Sequence, residues 1–456
     1  MKIHLIAVGG AVMHNLAMAL QQNGHEVTGS DDEIYNPARA RLDTAGLLPS
    51  KMGWDENNIR PDLDIVILGM HARLDNPELA RAQALGLRVL SYPAFIFEHA
   101  KAKTRVVVAG SHGKTTTTSM IMHVLRHSGR DFDYLVGAML DGFETMVRLS
   151  DAPIMVIEGD EYLSSPLDRR PKIHNYFPHL SIITGIAWDH VNVFPTYENY
   201  VQQFDIFLDM MRPSEANILG GKFFYYKHDA DLVKIAQKSR APRRSYAAFS
   251  ADIKDGATML KYKGRRVPLR IFGDHNLANL KAAYLVCKEL GVSDAEFFEA
   301  VKTFNGAAKR LQILCQTSES IAFLDFAHAP SKVKATVAAM KQQYEHRKLV
   351  ACLELHTFSS LNKAFLPQYR HALAAADEAA VYFNEHTLTM KKMPPLSEAE
   401  VKAAFDHPNL KVFTDNQAFL AYLEEKKFQQ RNLLLMTSGT FNGLELKTVA
   451  EKLLVK

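Results

Sequence analysis

The clearest indication of the fold is the segment Arg105-Val106-Val107-Val108-Ala109-Gly110-Ser111-His112-Gly113-Lys114-Thr115-Thr116-Thr117-Thr118. A β-branched run stops at a glycine-rich turn, and a helical pattern follows. Glycines let backbone N–H groups curl around a phosphate, and the start of a helix adds positive potential. In such a loop the lysine, Lys114, reaches the terminal phosphates of a nucleotide, and the Thr115 hydroxyl binds magnesium. The stretch therefore predicts a phosphate-binding loop between a buried strand and a helix.

The spacing of this loop departs from the common GxxxxGK[ST] pattern, whose early glycine would fall on Val108. The chain has a shorter GxxGKTT instead. The alternative interpretation is a lysine in an ordinary strand-to-helix turn. Because only two residues separate VVVAG from GKTTTT, phosphate binding is the better interpretation.

On both sides of the loop, short apolar runs alternate with helical patterns. Such runs indicate parallel strands with helices on both sheet faces, so we predict an α/β fold whose functional loops follow the carboxyl ends of the strands. The chain divides into three predicted domains, covering residues 1–102, 103–308 and 309–456. The predicted buried strands are residues 3–8, 64–68, 105–108, 154–157, 180–183, 321–325, 348–353, 379–383 and 432–436.

Composition excludes several classes of protein. The 456 residues are too many for one core, and a net charge of +4 without a basic run does not favour nucleic acid. Three scattered cysteines (Cys287, Cys315 and Cys352) fit reduced thiols and form no CxxC pair. No apolar run approaches the length of a membrane span, and the apolar N-terminus is too short for a signal peptide. We expect a soluble, cytoplasmic protein without a nucleic-acid or membrane partner, and the sequence leaves its oligomeric state open.

Acidic residues follow the predicted strand at 154–157. Glu158 ends this strand and is the first candidate to complete magnesium coordination, because hard cations take oxygen ligands. Asp160 and Glu161 are either further ligands or solvated loop acids. After the next strand, His190 of an Asp189-His190 pair is either a metal or phosphate contact or a structural histidine.

Six motifs follow one another along the chain: AGSHGKTTT, IEGDEY, Asp189-His190, Gly273-Asp274-His275-Asn276-Leu277-Ala278-Asn279, Ala308-Lys309-Arg310-Leu311-Gln312 and Leu324-Asp325-Phe326-Ala327-His328-Ala329-Pro330. In this order they resemble the Mur ligase family, which builds the peptide of bacterial cell-wall precursors. The resemblance covers essentially the whole chain.

The resemblance implies a Rossmann-like nucleotide-sugar domain, a central ATPase domain and a Rossmann-like domain for the incoming amine. It also implies ATP and Mg²⁺: ATP phosphorylates a substrate carboxylate, and an amine displaces phosphate from the acyl phosphate. The implied catalytic residues are Lys114, His190, Arg310 and His328, and the implied metal ligands are Thr115, Glu158 and His190. The implied nucleotide contacts are Gly110, Ser111, His112, Gly113, Lys114, Thr115, Thr116, His275, Asn276, Asn279, Arg310 and Asp325.

One nucleotide contact and the metal site carry qualifications. Asn276 has an alternative interpretation as a helix cap. Many family members carry a modified lysine beyond the Asp-His pair, where this chain has Phe204, so the resemblance leaves a second magnesium site in doubt.

The N-terminal residues 3–15 resemble the family's uridine-diphosphate loop. Gly9 and Gly10 are retained, whereas Ala7, Val12 and Asn15 occupy glycine positions of that pattern. The expected contacts to UDP-N-acetylmuramate are Gly9, Gly10, Asp31 and His71. Taken alone, this loop would also fit a nicotinamide oxidoreductase, and His4 has an alternative interpretation as a satisfied strand residue.

Two branches of the family share this loop and act on UDP-N-acetylmuramate. One adds L-alanine, and the other attaches the recycled tripeptide L-alanyl-γ-D-glutamyl-meso-diaminopimelate. Residues 156–162, residues 167–172 and the glutamate-led loop at 354–362 resemble the recycling branch, so we expect the tripeptide ligase. The alternatives are the alanine-adding ligase and, because Leu324 and Ala329 depart from the family's DDYAHHP, a non-catalytic nucleotide-binding protein.

Overall fold

A computed structural model describes residues 1–254, 256–307 and 310–455. The chain forms two compact units. The first comprises residues 1–186, 196–247 and 282–300, and the second comprises residues 187–195, 248–281 and 301–456. The predicted domain boundaries at 102 and 308 stay predictions, and Ala308 and Lys309 of the fifth family motif lie outside the described residues.

The first unit begins with a four-stranded parallel sheet in the order β2-β1-β3-β4. All four side chains of β3 are buried, as expected for a strand covered on both faces. The strands are β1 (Lys2–Ile6), β2 (Glu26–Ser30), β3 (Ile65–Leu68) and β4 (Val89–Ser91). The helices are α1 (Ala11–Gln22), α2 (Ala38–Thr44), α3 (Pro77–Ala84) and α4 (Tyr92–Ala100), with a 3-10 turn at Glu56–Asn58.

A seven-stranded sheet follows in the first unit, in the order β11-β10-β9-β5-β8-β6-β7, and only β7 pairs antiparallel. The strands are β5 (Thr104–Ala109), β6 (Asp133–Leu135), β7 (Val147–Arg148), β8 (Ile154–Glu158), β9 (Leu180–Ile183), β10 (Lys222–Tyr226) and β11 (Arg243–Tyr246). The helices are α5 (Lys114–His127), α6 (Tyr197–Asp209) and α7 (Ala230–Lys238), with a 3-10 turn at Lys172–Asn175.

The order of this sheet positions the candidate site. β5 lies between β8 and β9, with Val108 opposite Glu158 and Ala109 opposite Ile183. Because the three strands are parallel, their carboxyl ends meet at one edge of the sheet. The loops after β5 and β8 are therefore neighbours.

The second unit contains an antiparallel sheet and a six-stranded sheet. The first is β12 (Ser250–Lys254), β13 (Ala257–Tyr262) and β14 (Arg265–Leu269). The second has the order β15-β16-β20-β17-β18-β19, with only β15 antiparallel. Its strands are β15 (Gln312–Gln316), β16 (Ile321–Asp325), β17 (Lys348–Leu355), β18 (Glu378–Phe383), β19 (Leu410–Phe413) and β20 (Arg431–Met436).

Helices α8 (Asp274–Glu289) and α9 (Asp294–Val301) contribute residues to both units. The second unit also holds α10 (Pro330–Gln343), α11 (Glu385–Met390), α12 (Glu398–Phe405), α13 (Asn416–Glu424) and α14 (Leu446–Leu454), with a 3-10 turn at Leu366–Tyr369. Successive residues of its central strands enter opposite apolar layers: Leu353 joins the layer with α10, and Cys352 joins the layer with α13 and α14.

The predicted α/β class is confirmed, and all nine predicted strands are present with ends within two residues. The sequence reading missed the short or half-exposed strands, such as β7 and β12 to β14, whose pattern of burial is irregular. Within the described residues, none of the helices is both long and apolar enough to cross a bilayer.

Candidate functional site

The predicted phosphate loop connects β5 to α5. Gly110 has φ +116°, and a Cβ there would lie 2.8 Å from the Thr184 backbone nitrogen. Gly113, with φ +69°, is the left-handed N-cap of α5, whose first residue is Lys114. The two glycines are required because a side chain at either position would strain or block the loop. Ser111, His112, Thr115 and Thr116 lie in the same segment, as predicted.

Lys114 is folded back on its own loop. Its Nζ donates to the Gly110 carbonyl at 2.8 Å and to the Glu161 carboxylate at 2.7 Å. Burial alone would lower the pKa of Lys114, but Glu161 and Asp160 outweigh burial and raise that pKa above its usual value. The lysine is therefore a fixed positive charge beside the loop.

The surroundings of Glu161 decide between the two interpretations that the sequence left open, a further metal ligand or a solvated loop acid. Glu161 is 1% exposed and accepts hydrogen bonds from Lys114 and from the Tyr200 hydroxyl of α6, so it is not a solvated loop acid. Asp160 is more exposed and forms an ion pair with Lys172. No signal in the sequence pointed to Tyr200, because the contact depends on how α6 packs.

Glu158 ends β8 and lies beside Thr115. The Thr115 hydroxyl donates to one Glu158 oxygen at 2.8 Å, and the Gly137 backbone N–H donates to the other at 2.8 Å. A hydroxyl and a carboxylate next to a phosphate loop are the oxygen ligands that Mg²⁺ prefers. The predicted ligands Thr115 and Glu158 are thus brought together and fit a magnesium ion.

A second group of charged residues lies in the second unit. Asp189 is 3.9 Å from Lys332 of α10, and the His190 backbone N–H donates to the Asp189 carboxylate at 2.8 Å. Burial would raise the pKa of Asp189, but Lys332 and the neighbouring histidines lower it to about 2. Burial and Lys332 lower the pKa of His328 to about 4, so His328 is neutral at pH 7. Lys332 was not predicted.

The remaining predicted nucleotide contacts lie in the same unit. The Arg310 guanidinium is 4.6 Å from the centre of the Phe326 ring. Asp325 is buried at the end of β16 and accepts from the backbone N–H groups of Leu311 and Ala327, each at 2.7 Å. Asp325 therefore fixes the two segments that carry Arg310 and His328.

The three polar residues of the predicted adenine-contacting segment lie at the start of α8. Burial lowers the pKa of His275. Asn276 is the third residue of this helix and donates to the Phe272 carbonyl at 2.9 Å. The alternative interpretation of Asn276 as a cap is wrong, because a cap accepts a hydrogen bond from the first turn. Asn279 is buried one turn further on.

The N-terminal loop brings three of its four predicted contacts together. The Gly9 N–H donates to the Asp31 carboxylate at 2.7 Å, and Gly10 is the N-cap of α1. Burial raises the pKa of Asp31 to about 6. His71 is exposed in the loop after β3. Ala7, at a glycine position of the family pattern, has φ +66°, a conformation that glycine adopts without strain.

His4 is a satisfied strand residue, as one interpretation of the sequence held. It is buried, with Nδ1 2.8 Å from the Thr28 hydroxyl and Nε2 3.4 Å from the Glu78 carboxylate.

The fold and these groups define an α/β protein with a nucleotide-type phosphate loop and an adjoining magnesium-type oxygen pair. Two family models match the chain: "Mur ligase family, catalytic domain" over residues 2–104 and "Mur ligase middle domain" over residues 108–287.

A UDP-N-acetylmuramate--L-alanyl-gamma-D-glutamyl-meso-2,6-diaminoheptandioate ligase of Haemophilus influenzae is 26% identical, over 100% of this chain and 99% of its own length. A UDP-N-acetylmuramate--L-alanine ligase of Streptococcus equi subsp. zooepidemicus is 31% identical, over 82% of this chain and 81% of its own. The crystal structure of a murein peptide ligase from Psychrobacter arcticus has the same fold, with a TM-score of 0.66, 22% identity, and coverage of 99% of this chain and 98% of that one.

The chain belongs to the Mur ligase family.

Proposed function

We propose that this protein is an ATP-dependent ligase that joins the carboxylate of UDP-N-acetylmuramate to the amine of L-alanyl-γ-D-glutamyl-meso-diaminopimelate. The observation that carries the chemistry is that Lys114, paired with Glu161, lies in the same phosphate loop as Thr115, whose hydroxyl bonds to Glu158. The substrates follow from the Haemophilus influenzae relative, which matches the chain from end to end.

The proposed roles in the first unit concern ATP and magnesium. Lys114 binds the terminal phosphates, and backbone N–H groups of residues 110–116 cradle them. Thr115 and Glu158 would hold Mg²⁺, which when bound neutralises phosphate charge during phosphoryl transfer. Gly9, Gly10, Asp31 and His71 are proposed to contact the nucleotide sugar.

The proposed roles in the second unit follow from charge. His275, Asn276 and Asn279 are proposed to hold adenosine, with Asp325 as a further nucleotide contact. Arg310 supplies positive charge to the phosphates. His328, which burial keeps neutral at pH 7, is proposed to lie near the reacting groups. His190 is proposed to contact the metal or phosphate.

The alanine-adding ligase is the second candidate, because the Streptococcus relative with that name is 31% identical. It aligns with less of the chain than the tripeptide ligase does, 82% against 100%. We therefore propose the tripeptide as the amine donor.

Phosphate release tests the proposal. The purified protein is mixed with ATP, Mg²⁺ and UDP-N-acetylmuramate, and the tripeptide is compared with L-alanine as the added amine. We expect release only with the tripeptide, together with a product whose mass is the sum of the two substrates less one water. Release with L-alanine alone would establish the alanine-adding reaction instead. No release with either amine would overturn the proposed ligase activity.

A further inference from the structure

The Tyr200 hydroxyl links the phosphate loop to Glu161, the carboxylate that pairs with Lys114. This tyrosine of α6 is fully buried. Its hydroxyl lies 2.9 Å from Glu161 and 2.8 Å from the Ser111 hydroxyl. An ionised carboxylate only accepts, so the phenol donates to Glu161, and its oxygen is left to accept from Ser111. The result is a chain of hydrogen bonds from Ser111 through Tyr200 to Glu161, where Lys114 also donates.

The ring of Tyr200 is held in place by packing. Phe204, one turn further along α6, is fully buried and contacts the ring edge-on, with 5.4 Å between ring centres and 78° between planes. The tyrosine hydroxyl therefore has a fixed direction toward Glu161.

When a nucleotide binds, its terminal phosphates compete with Glu161 for the Lys114 ammonium. Lys114 donates to the Gly110 carbonyl and to Glu161, both groups of the protein itself. To reach terminal phosphates, Lys114 must give up at least part of its bond to Glu161. Glu161 is buried, and a buried carboxylate that loses a charged donor is destabilised unless other donors remain.

We propose that Tyr200 is a positioning residue for nucleotide binding, which keeps a hydrogen bond on Glu161 while Lys114 moves to the terminal phosphates. The inference rests on the proposed function because it requires ATP to bind at this loop. Through Ser111, the same phenol also ties the loop backbone to α6.

The test is a double-mutant cycle on nucleotide affinity. The variants are Tyr200→Phe, Glu161→Gln and the double substitution, each titrated calorimetrically with Mg²⁺ and the non-hydrolysable β,γ-methylene analogue of ATP. We expect Tyr200→Phe to weaken binding about tenfold, the size of one hydrogen bond to a charged group. In the Glu161→Gln background, where residue 161 no longer carries a charge, the same change should have little effect.

Tyr197→Phe is the matched control. Tyr197 is on the same helix, and its hydroxyl also donates to a carboxylate, that of Asp231 at 2.7 Å. The hydrogen bonds described above, from Ser111 through Tyr200 to Glu161, do not include Tyr197. Nucleotide affinity should therefore stay at the wild-type value. The variant's midpoint of thermal unfolding shows how much a lost tyrosine–carboxylate bond on α6 costs the fold.

The outcomes separate the inference from the proposed function. If the wild-type protein binds the analogue and Tyr200→Phe binds equally well, the inference is wrong and the proposed function stands. If Tyr200→Phe weakens binding to the same extent in the wild-type and Glu161→Gln backgrounds, Tyr200 acts through packing alone and the inference is wrong. If the wild-type protein does not bind the analogue, both are overturned.

Discussion

Ion pairs and hydrogen bonds fix the positions of single side chains at the phosphate loop. Lys114 is paired with Glu161, which lies three residues beyond the proposed metal ligand Glu158. The two carboxylates accept hydrogen bonds from different donors. Glu158 accepts from a hydroxyl and a backbone N–H, whereas Glu161 accepts from an ammonium and a phenol. Substitutions at these positions should therefore separate metal binding from lysine placement.

Replacing Lys114 tests both its proposed role and its ion pair. Lys114→Ala should lower ATP-dependent turnover by at least about 100-fold, because a positioned cation at the phosphates is lost. It should also destabilise the fold by about 3 kcal/mol, since Glu161 is buried without its charged partner. Adding Glu161→Gln should restore most of the stability and none of the turnover, as measured by phosphate release and urea unfolding.

The control for this pair is Lys101→Ala, which removes an exposed lysine paired with Glu98. Exposed pairs contribute little, so both stability and turnover should be unchanged. A Lys114→Ala variant that kept full turnover would remove Lys114 from the proposed mechanism.

Replacing Glu158 tests the proposed metal site. Glu158→Gln loses a charged oxygen ligand, so the Mg²⁺ concentration for half-maximal phosphate release should rise about tenfold or more, or turnover should be lost. Asp160→Asn is the neighbouring control, because Asp160 pairs with Lys172 and should leave the Mg²⁺ dependence unchanged. The reverse result would assign the ligand to Asp160.

At the level of whole elements, hydrogen bonds from Arg105 connect several backbone segments to β5. Its buried guanidinium donates to backbone carbonyls at the end of α4, in the turn before β9 and at residue 216. The accepting carbonyls are those of Ala100, Lys101, Tyr176, Phe177 and Ala216. Burial lowers the pKa of Arg105 to about 10, which still leaves it charged at neutral pH. β5 carries the phosphate loop at its other end, so this anchor holds the strand that presents the loop.

Arg105→Lys should destabilise the first unit by about 2–3 kcal/mol. The single ammonium nitrogen of lysine cannot reach all the carbonyls that the three nitrogens of the planar guanidinium span, and buried acceptors are left unsatisfied. Urea unfolding followed by tyrosine and tryptophan fluorescence measures the loss. The comparison is Arg212→Lys, at an exposed pair with Asp209, where a change within about 0.5 kcal/mol is expected. Equal effects of the two substitutions would contradict the role given to Arg105.

At the level of the whole molecule, a buried acid in the N-terminal loop makes stability depend on pH. Asp31 has a pKa raised from 3.8 to about 6, because burial disfavours its charge more than the Gly9 N–H favours it. A raised carboxyl pKa favours the folded state fully below pH 3.8, and this contribution is lost as pH rises through 6. The loss is at most about 3 kcal/mol, for a shift of about two units.

Asp31→Asn should remove this dependence in the nucleotide-free protein. Asparagine keeps an oxygen for the Gly9 N–H but carries no charge, so the variant should gain stability over the wild type between about pH 4.5 and about pH 7.5. Unfolding free energies of both proteins at the two pH values measure the difference. Asp75→Asn, at an exposed pair with Arg73, should show no such gain. A constant difference between Asp31→Asn and wild type at both pH values would refute the prediction.

The α/β class, the nine main strands and the phosphate loop could all be predicted from the amino-acid sequence. These features are local: a buried strand needs a short apolar run, and a phosphate loop needs glycines and a lysine within a few residues of one another. Thr115 and Glu158 each belong to such a local pattern. They were predicted to lie together because the carboxyl ends of parallel strands meet at one edge of the sheet. The family followed from the order of six such local motifs.

Which side chains contact each other became known from the packing of the folded chain. Nothing near Tyr200 in the sequence indicates that it contacts Ser111 and Glu161, which are 89 and 39 residues away. Glu161 and Asp160 are adjacent acids in the sequence, yet one is buried against Lys114 and the other forms an ion pair with Lys172. Whether a charged group is solvated or paired depends on which elements pack over it, and that packing joins residues far apart in the chain, so neither composition nor spacing contains it.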